Sequence, residues 1–292
     1  MTPSIAERFA SITQFQRGGH RAPHKPLLLL IALARLQRGE PQYGAYSEMA
    51  PLLAELLALY NRTGLAHPHH PFWRLQNDSS AIWEVPERER LLPLENGGDV
   101  SNARLISGDA HGGFPTEIDA HLRAHPSVVN TIATGLLHDN FPPSYHEDIL
   151  NMIGMPWVVE EAPRRIRDPK FRGSVLRAYN YSCAICGYDG RLGEKSMGLE
   201  AAHIKWHAAG GPDEIENGLS LCTFHHKVLD LGGLGIDDEL RVVISGDVNV
   251  RSGPTDWLHQ FHGQPLAPPQ RESFQPALAF IRWHRSEVFK QP

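Results

Sequence analysis

The sequence predicts an α+β chain in two parts: an α-rich N-terminal region with a small β element, followed by a smaller ββα unit stapled by cysteine and histidine. Three observations carry this expectation. The 292 residues exceed what one hydrophobic core ordinarily needs. Apolar residues recur at helical spacing through most of the first half of the chain. All three cysteines fall between positions 183 and 222, two of them in the run Cys-Ala-Ile-Cys.

Taken in order, Ile5 to about Arg38 carries a helical period broken by RGGHRAPHKP, whose glycines and prolines stop one helix and whose Pro26 opens the next. MAPLLAELLALYNRTG, from Met49, is a further helix with Gly64 as its stop. PFWRLQ and AIWEV are expected as two strands joined by the turn NDSS. Helical patterns resume from Glu117 to Arg123, Val128 to Leu137 and Tyr145 to Ile153. GMPWVVEEAPRRIRD has prolines, clustered charge and no period, so 155–168 reads as a linker between domains 1–154 and 169–292. A helix then starts at Pro169. Strands from Leu199 to Lys205 and from Gly218 to Cys222 flank a glycine-containing loop and lead into another helix. The tail from Gly253 carries apolar and tryptophan anchors, WLHQFHG and FIRWHRSEVF, expected to pack back on the second domain.

A composition of 41% hydrophobic and 21% charged residues is that of an ordinary globular protein. The longest apolar run, PLLLLIALARL, is interrupted by Arg35 and reads as a buried helix, not a bilayer span. The N-terminus lacks the basic start and apolar stretch of a secretory signal, which predicts a cytoplasmic location. A net charge of −5 does not advertise a polyanion-binding protein, so charge has to be judged locally. The one concentrated basic run is RRIRDPKFRGSVLR, Arg164 to Arg177, with Asp168 its sole acid; a solvated helix face explains it as well as a phosphate contact does.

An odd number of closely spaced cysteines suggests ligands before disulfides. Cys183 and Cys186 have the spacing with which two thiolates grip one ion from a tight turn, and Cys222 with His225 repeats that spacing downstream. Together they form a Cys3His set of the structural zinc type. A redox dithiol, the competing reading, predicts no third cysteine at matching spacing. If His225 serves zinc, its neighbour His226 faces elsewhere. On a helix it would share a face with Asp230, four positions on, and this pair suits a divalent ion with open coordination positions. On residue types alone a solvated helix face remains open for that pair. His203 lies on the first strand, and a histidine near a metal can take a proton from water because the ordinary imidazole titrates close to neutral pH. Asn217, at the end of the loop, can fix that loop and hold the imidazole by a hydrogen bond.

The order His203, Asn217, His226, bracketed by the cysteine pairs and with NGLSLC before the final histidines, resembles the HNH endonucleases of the ββα-metal type. The resemblance covers roughly Phe171 to Gly235. It implies metal-dependent phosphodiester cleavage, with His203 as general base, His226 and Asp230 as ligands of the catalytic ion (Mg2+, Mn2+ or another divalent cation), and Asn217 as the orienting residue. Where many members carry an acid or a second histidine directly before the base, this chain has Ala202, which leaves Glu200 as the candidate third ligand.

HRAPHKPLLLL and HPHHPFWRLQNDSSAIWEV, with HGGFP and FPPSYHEDIL, resemble the sulfur-binding domain of the phosphorothioated-DNA-dependent, McrA-like restriction endonucleases over about Ser4 to Gly154. This implies a modification-dependent, type IV-like enzyme that binds double-stranded DNA in which sulfur replaces a non-bridging phosphate oxygen. Sulfur is larger, more polarizable and less hydrated than oxygen, so an apolar cavity rimmed by cations favours it. His70, Pro71, Phe72 and Trp73 are the expected lining, with Arg21 and Arg74 on the flanking backbone, His20 nearby, and a base edge as the other target open to Arg74. Core packing is the competing reading of Phe72 and Trp73. An HNH nuclease for another target and a zinc-stapled DNA-binding module without catalysis are the alternatives. A homodimer is expected because cutting both strands often brings two active sites together.

Overall fold

An unbroken apolar helix needs neighbours on every side, and the first unit is built around one. The computed structural model describes residues 3–17, 20–61, 66–92, 99–155, 169–249 and 257–290, in two units treated separately below. Helix α1 (Ile5–Ala10) opens with a capping box in which the Ser4 hydroxyl and the Glu7 carboxylate each take the other's backbone N–H. Strands β1 (Gln16–Arg17) and β2 (His20–Arg21) pair, and α2 (His24–Gln37) follows, buried at every position from Pro26 to Ala34. Next come β3 (Tyr43–Ala45), α3 (Tyr46–Tyr60), α4 (His69–Arg74), α5 (Arg88–Leu91), α6 (Asn102–Ser107), β4 (His111–Gly113), α7 (Thr116–Ala124), α8 (Pro126–Asn140) and α9 (Pro143–Ile153). Helices α3, α4, α7, α8 and α9 all contact α2, which is how its apolar faces are covered. Strands β3 and β4 pair antiparallel with Gly44 opposite Gly112. A Cβ at Gly112 would lie within 3 Å of the Phe72 and Trp83 rings, so this ribbon is pressed onto the aromatic core.

Two expectations are corrected in this unit. PFWRLQ is helical, as the end of α4 plus a 3-10 turn over Leu75–Asn77. Pro68 at the cap and Pro71 in the first turn sit where the missing N–H costs no hydrogen bond. AIWEV is not a strand: only Glu84 bridges to Gly113, and Ala81 takes a left-handed φ of 49° in the preceding turn. The stop expected at Gly64 and all but Met155 of the expected linker lie outside the described residues.

The second unit runs through α10 (Pro169–Ala178), β5 (Arg191–Leu192), β6 (Lys195–Ser196), β7 (Leu199–His203), β8 (Gly218–Cys222), α11 (Thr223–Asp230), β9 (Leu234–Ile236), β10 (Val242–Ile244) and α12 (Leu278–Glu287). Strands β7 and β8 pair antiparallel from Leu199 opposite Cys222 to His203 opposite Gly218. The first strand stops two residues short of the expected Lys205, because the Asn217 side chain takes both the amide and the carbonyl of Lys205 out of the ladder. Helix α10 lies across this hairpin so closely that a Cβ on Gly218 would meet Val175 at 2.4 Å. The tail packs back as expected: Trp283, Val288 and Phe289 are buried, and the Lys290 amide donates to the Gly232 carbonyl. No helix among the described residues is long and apolar enough to cross a membrane.

His284, on α12, is fully buried with Nε2 against the Leu229 carbonyl at 2.9 Å, and burial pushes its pKa down to about 4. The unfolded chain binds this proton near pH 6.5 and the folded one does not, so the contribution is intact above that pH and lost as pH falls toward 4. Thermal melts should show the second unit losing up to about 3 kcal/mol over this window at this residue. A His284→Gln chain should show a flatter pH dependence.

Candidate functional site

Successive residues on a helix are turned by about 100°. Because β8 delivers Cys222 to the N-terminal cap of α11, His225 and His226 in the first turns must face different surroundings. His225 turns back to the cysteines. Its Nδ1 lies 3.2 Å from the Cys222 sulfur and 3.6 Å from that of Cys183. The donor atoms of Cys183, Cys186, Cys222 and His225 all lie within 4.8 Å of one another. Gly187 closes the Cys183–Cys186 turn with a φ of 72° that a side chain rarely tolerates, and its amide donates to the Cys183 carbonyl at 2.9 Å. Hydrogen bonds from Cys222 and then His225 hold the Cys183 thiol well below the usual range, toward the thiolate a soft metal binds. Sulfur and nitrogen atoms at these separations fit a tetrahedral zinc with bonds of about 2.3 and 2.1 Å.

His226 turns the other way, into carboxylates. Its Nδ1 is 2.5 Å from the Glu200 carboxylate on β7, and its Nε2 is 3.3 Å from Asp230 on the next turn of α11. The hydrogen bond from His226 holds Glu200 below the ordinary carboxylate range. Asp230 is 1% exposed and also accepts from the Trp206 indole at 3.1 Å. A buried carboxylate held by two donors is a positioned group and not a solvated one.

His203 ends β7 and is 7% exposed. The Phe171 ring of α10 stacks on it at 4.2 Å and 18°. Asn217 does not hold this imidazole, which corrects the expected direct contact. Its carboxamide accepts from the Lys205 amide at 2.8 Å and donates to the carbonyls of Lys205 and Pro212, at 3.0 and 2.9 Å. Asp213 is a partner of His203, its carboxylate 2.7 Å from Nε2. Sequence reasoning passed over Asp213. The available signal was an acid in the loop that joins β7, which ends at His203, to Asn217 just before β8.

In the first unit, α4 puts His70 and Arg74 four positions apart on one face. His67 and His69 crowd His70, with ring centroids 5.2 and 4.2 Å away. Burial, then the charges of His70, His67 and Arg74, push His24 at the start of α2 down to about 4, so the HRAPH and HPHHPFWR segments meet here. Arg74 donates to Asp99 from Nε at 2.8 Å and again from Nη2. Arg21 is half-buried, and His20 lies on β2. Phe72 and Trp73 are corrected from cavity lining to core. They are 0% and 4% exposed, Phe72 packs on Tyr46 and Trp83, and a helix at this position sends them inward. Pro71 is also buried.

The α-rich unit and the ββα unit that follows it each match a known family of DNA-acting domains. Residues 2–157 match the family described as ScoMcrA-like, DNA sulfur-binding domain, and 183–237 match HNH endonuclease. The chain belongs to the ScoMcrA-like sulfur-binding-domain family and carries an HNH endonuclease domain. Among solved structures, the sulfur binding domain of ScoMcrA complexed with phosphorothioated DNA matches with a TM-score of 0.46 and 23% identity, over 52% of this chain and 96% of that one. The type IV phosphorothioation-dependent restriction endonuclease ScoMcrA matches at 0.45 and 23%, over 61% of this chain but only 34% of that one. The modification-dependent restriction endonuclease TagI matches at 0.32 and 26%, over 42% and 39%. No curated protein matches.

Replacing one zinc ligand tests the cysteine set. Cys186→Ala should abolish stoichiometric zinc in the purified chain, read by elemental analysis. It should also unfold the second unit, because structural zinc contributes most of the stability of so small a module.

Proposed function

We propose that the chain is a modification-dependent DNA endonuclease whose first domain, 1–154, binds phosphorothioated duplex DNA and whose second, 169–292, hydrolyses a phosphodiester bond. The observation that carries the reading is the divergence of His225 and His226, one ring among sulfurs and the other among carboxylates, on a helix that packs against the strand ending at His203. Zinc in the Cys183, Cys186, Cys222 and His225 set would then be structural, since four protein donors close its coordination.

His226 and Asp230 fit a Mg2+ or Mn2+ ion. Two ligands at about 2.1 Å from such an ion and at right angles lie about 3 Å apart, close to the 3.3 Å between His226 Nε2 and Asp230. The 2.5 Å contact from Nδ1 to Glu200 is too short for two ligands of one ion. Glu200 is therefore the acceptor that sets the ring's orientation, a usual partner of metal-binding histidines, and not the third ligand. When bound, the ion supplies positive charge for the oxygens of the phosphoryl group and the departing 3′-oxygen. His203 takes the proton of the attacking water as its oxygen bonds to phosphorus. The bond from phosphorus to O3′ breaks, leaving a 5′-phosphate and an alcohol that takes its proton from solvent. Asn217 keeps the loop on which this geometry is built.

Arg21, His70 and Arg74, with His20 from β2, remain for recognition, and the buried Pro71, Phe72 and Trp73 form the floor beneath them. Imidazole offers sulfur an apolar contact, and the guanidinium groups offer the backbone its charge partners. Family membership over residues 2–157 supports sulfur as the feature read. Competition gel shifts with matched duplexes, one carrying a single phosphorothioate, should show preference for the sulfur duplex; equal affinity overturns the sulfur reading. Nicking of phosphorothioated plasmid with Mg2+ or Mn2+ should fall about 100- to 10,000-fold in His203→Ala while duplex binding persists.

A further inference from the structure

We infer that Asp213 is a positioning residue for His203, holding it in the single tautomer that can take a proton from water. The inference rests on the nuclease reading of this site. A neutral imidazole carries its proton on one nitrogen and its lone pair on the other, and a partner at one nitrogen decides which. The Asp213 carboxylate, 2.7 Å from Nε2, is an acceptor, so it places the proton on Nε2 and the lone pair on Nδ1. Without it the ring can exchange tautomers, and in one of the two Nδ1 would already carry a proton and could not take one from water.

The fold goes to some length to deliver this carboxylate. Gly211 presses against the strand exit so tightly that a Cβ there would sit 1.9 Å from the Lys205 carbonyl oxygen. The Gly211 amide donates to the Trp206 carbonyl at 2.9 Å. The next carbonyl, that of Pro212, is held by the Asn217 carboxamide, which also grips both polar groups of Lys205. Asp213 is the residue that follows, so its backbone is set from both sides of the loop before its side chain reaches the ring. Phe171 stacked on the imidazole face restricts the tilt of the ring, and the carboxylate fixes its rotation. Asn217 thus acts on His203 at one remove, through the loop and Asp213. A carboxylate with only a fold-supporting role would need no partner at the one imidazole that this reading makes the general base.

The experiment compares the full chain with Asp213→Asn, Asp213→Glu and His203→Ala. Cleavage of phosphorothioated plasmid is measured under single-turnover conditions, in Mg2+ and separately in Mn2+. In Asp213→Asn the amide can offer the ring either an acceptor or a donor, so tautomer control is lost with little change in volume. The single-turnover rate should fall at least about tenfold, with duplex affinity, zinc content and melting temperature unchanged. Asp213→Glu should recover part of the rate. Nitrogen-15 spectra of histidine-labelled chain, with His203 assigned by its absence in His203→Ala, should show the Nε2–H tautomer in the native chain and a mixture in Asp213→Asn.

Native rate in Asp213→Asn, alongside an inactive His203→Ala, overturns the positioning role and leaves the nuclease reading intact. Undiminished cleavage by His203→Ala instead removes the nuclease reading, and this inference with it. A His203 spectrum that Asp213→Asn does not alter overturns the inference whatever the rates. A fall in melting temperature that accounts for the lost activity in both Asp213 variants would do the same, since the role would then be structural.

Discussion

The rotation of α11 about its own axis is the constraint on which the second unit turns. Once Cys222 caps the helix and the His225 ring is committed to the sulfurs, every later side chain on that helix has its direction fixed. His226 is left facing β7, where Glu200 waits, and Asp230 follows one turn on, buried beneath the same ring. The Cys3His cluster therefore aims His226 and Asp230, the pair proposed to hold the second ion. This accounts for the side-by-side histidines: adjacency on a helix couples the two groups of side chains with no intervening flexible bond.

The same economy appears across the hairpin. Strand β7 ends early because the Asn217 carboxamide replaces two ladder hydrogen bonds with its own, and the freed backbone becomes the wall against which the loop of Gly211 and Pro212 is clamped. Helix α10 closes the other side, with Val175 and Phe171 against Gly218 and His203. Strand, loop and helix each contribute one restraint on His203. No restraint is strong by itself, since single hydrogen bonds contribute about 1 kcal/mol net, but together they leave the ring one orientation.

Much of this was legible in the sequence where the signal was local or periodic. The Cys-x-x-Cys spacing, its echo in Cys222 and His225, and the four-residue offset of His226 and Asp230 specify neighbours on a turn or a helix, and the structure places them as such. The long helices were visible from their apolar period. What stayed hidden was contact between residues distant in sequence or out of pattern. Asp213 is one of three acids, with Glu214 and Glu216, in the loop between β7 and β8, and nothing in its surroundings announces the ring it meets. Asn217 looked equally able to hold loop or imidazole, because a carboxamide's reach cannot be read from type alone. At 71–76 aromatic residues that favour strands compete with Pro68 and Pro71, which favour a helix start, and the helix wins. Phe72 and Trp73, expected as lining from the resemblance, are turned inward by that helix.

The pairing of Arg74 with Asp99 has a bearing on how the first unit meets polyanions. A guanidinium already neutralised by a neighbouring carboxylate brings little net charge to an approaching backbone, and it must surrender that partner before it can engage a phosphate. On the proposed reading, that exchange would displace fewer condensed cations than a bare arginine would, so Arg74 would add little to the salt dependence of duplex affinity.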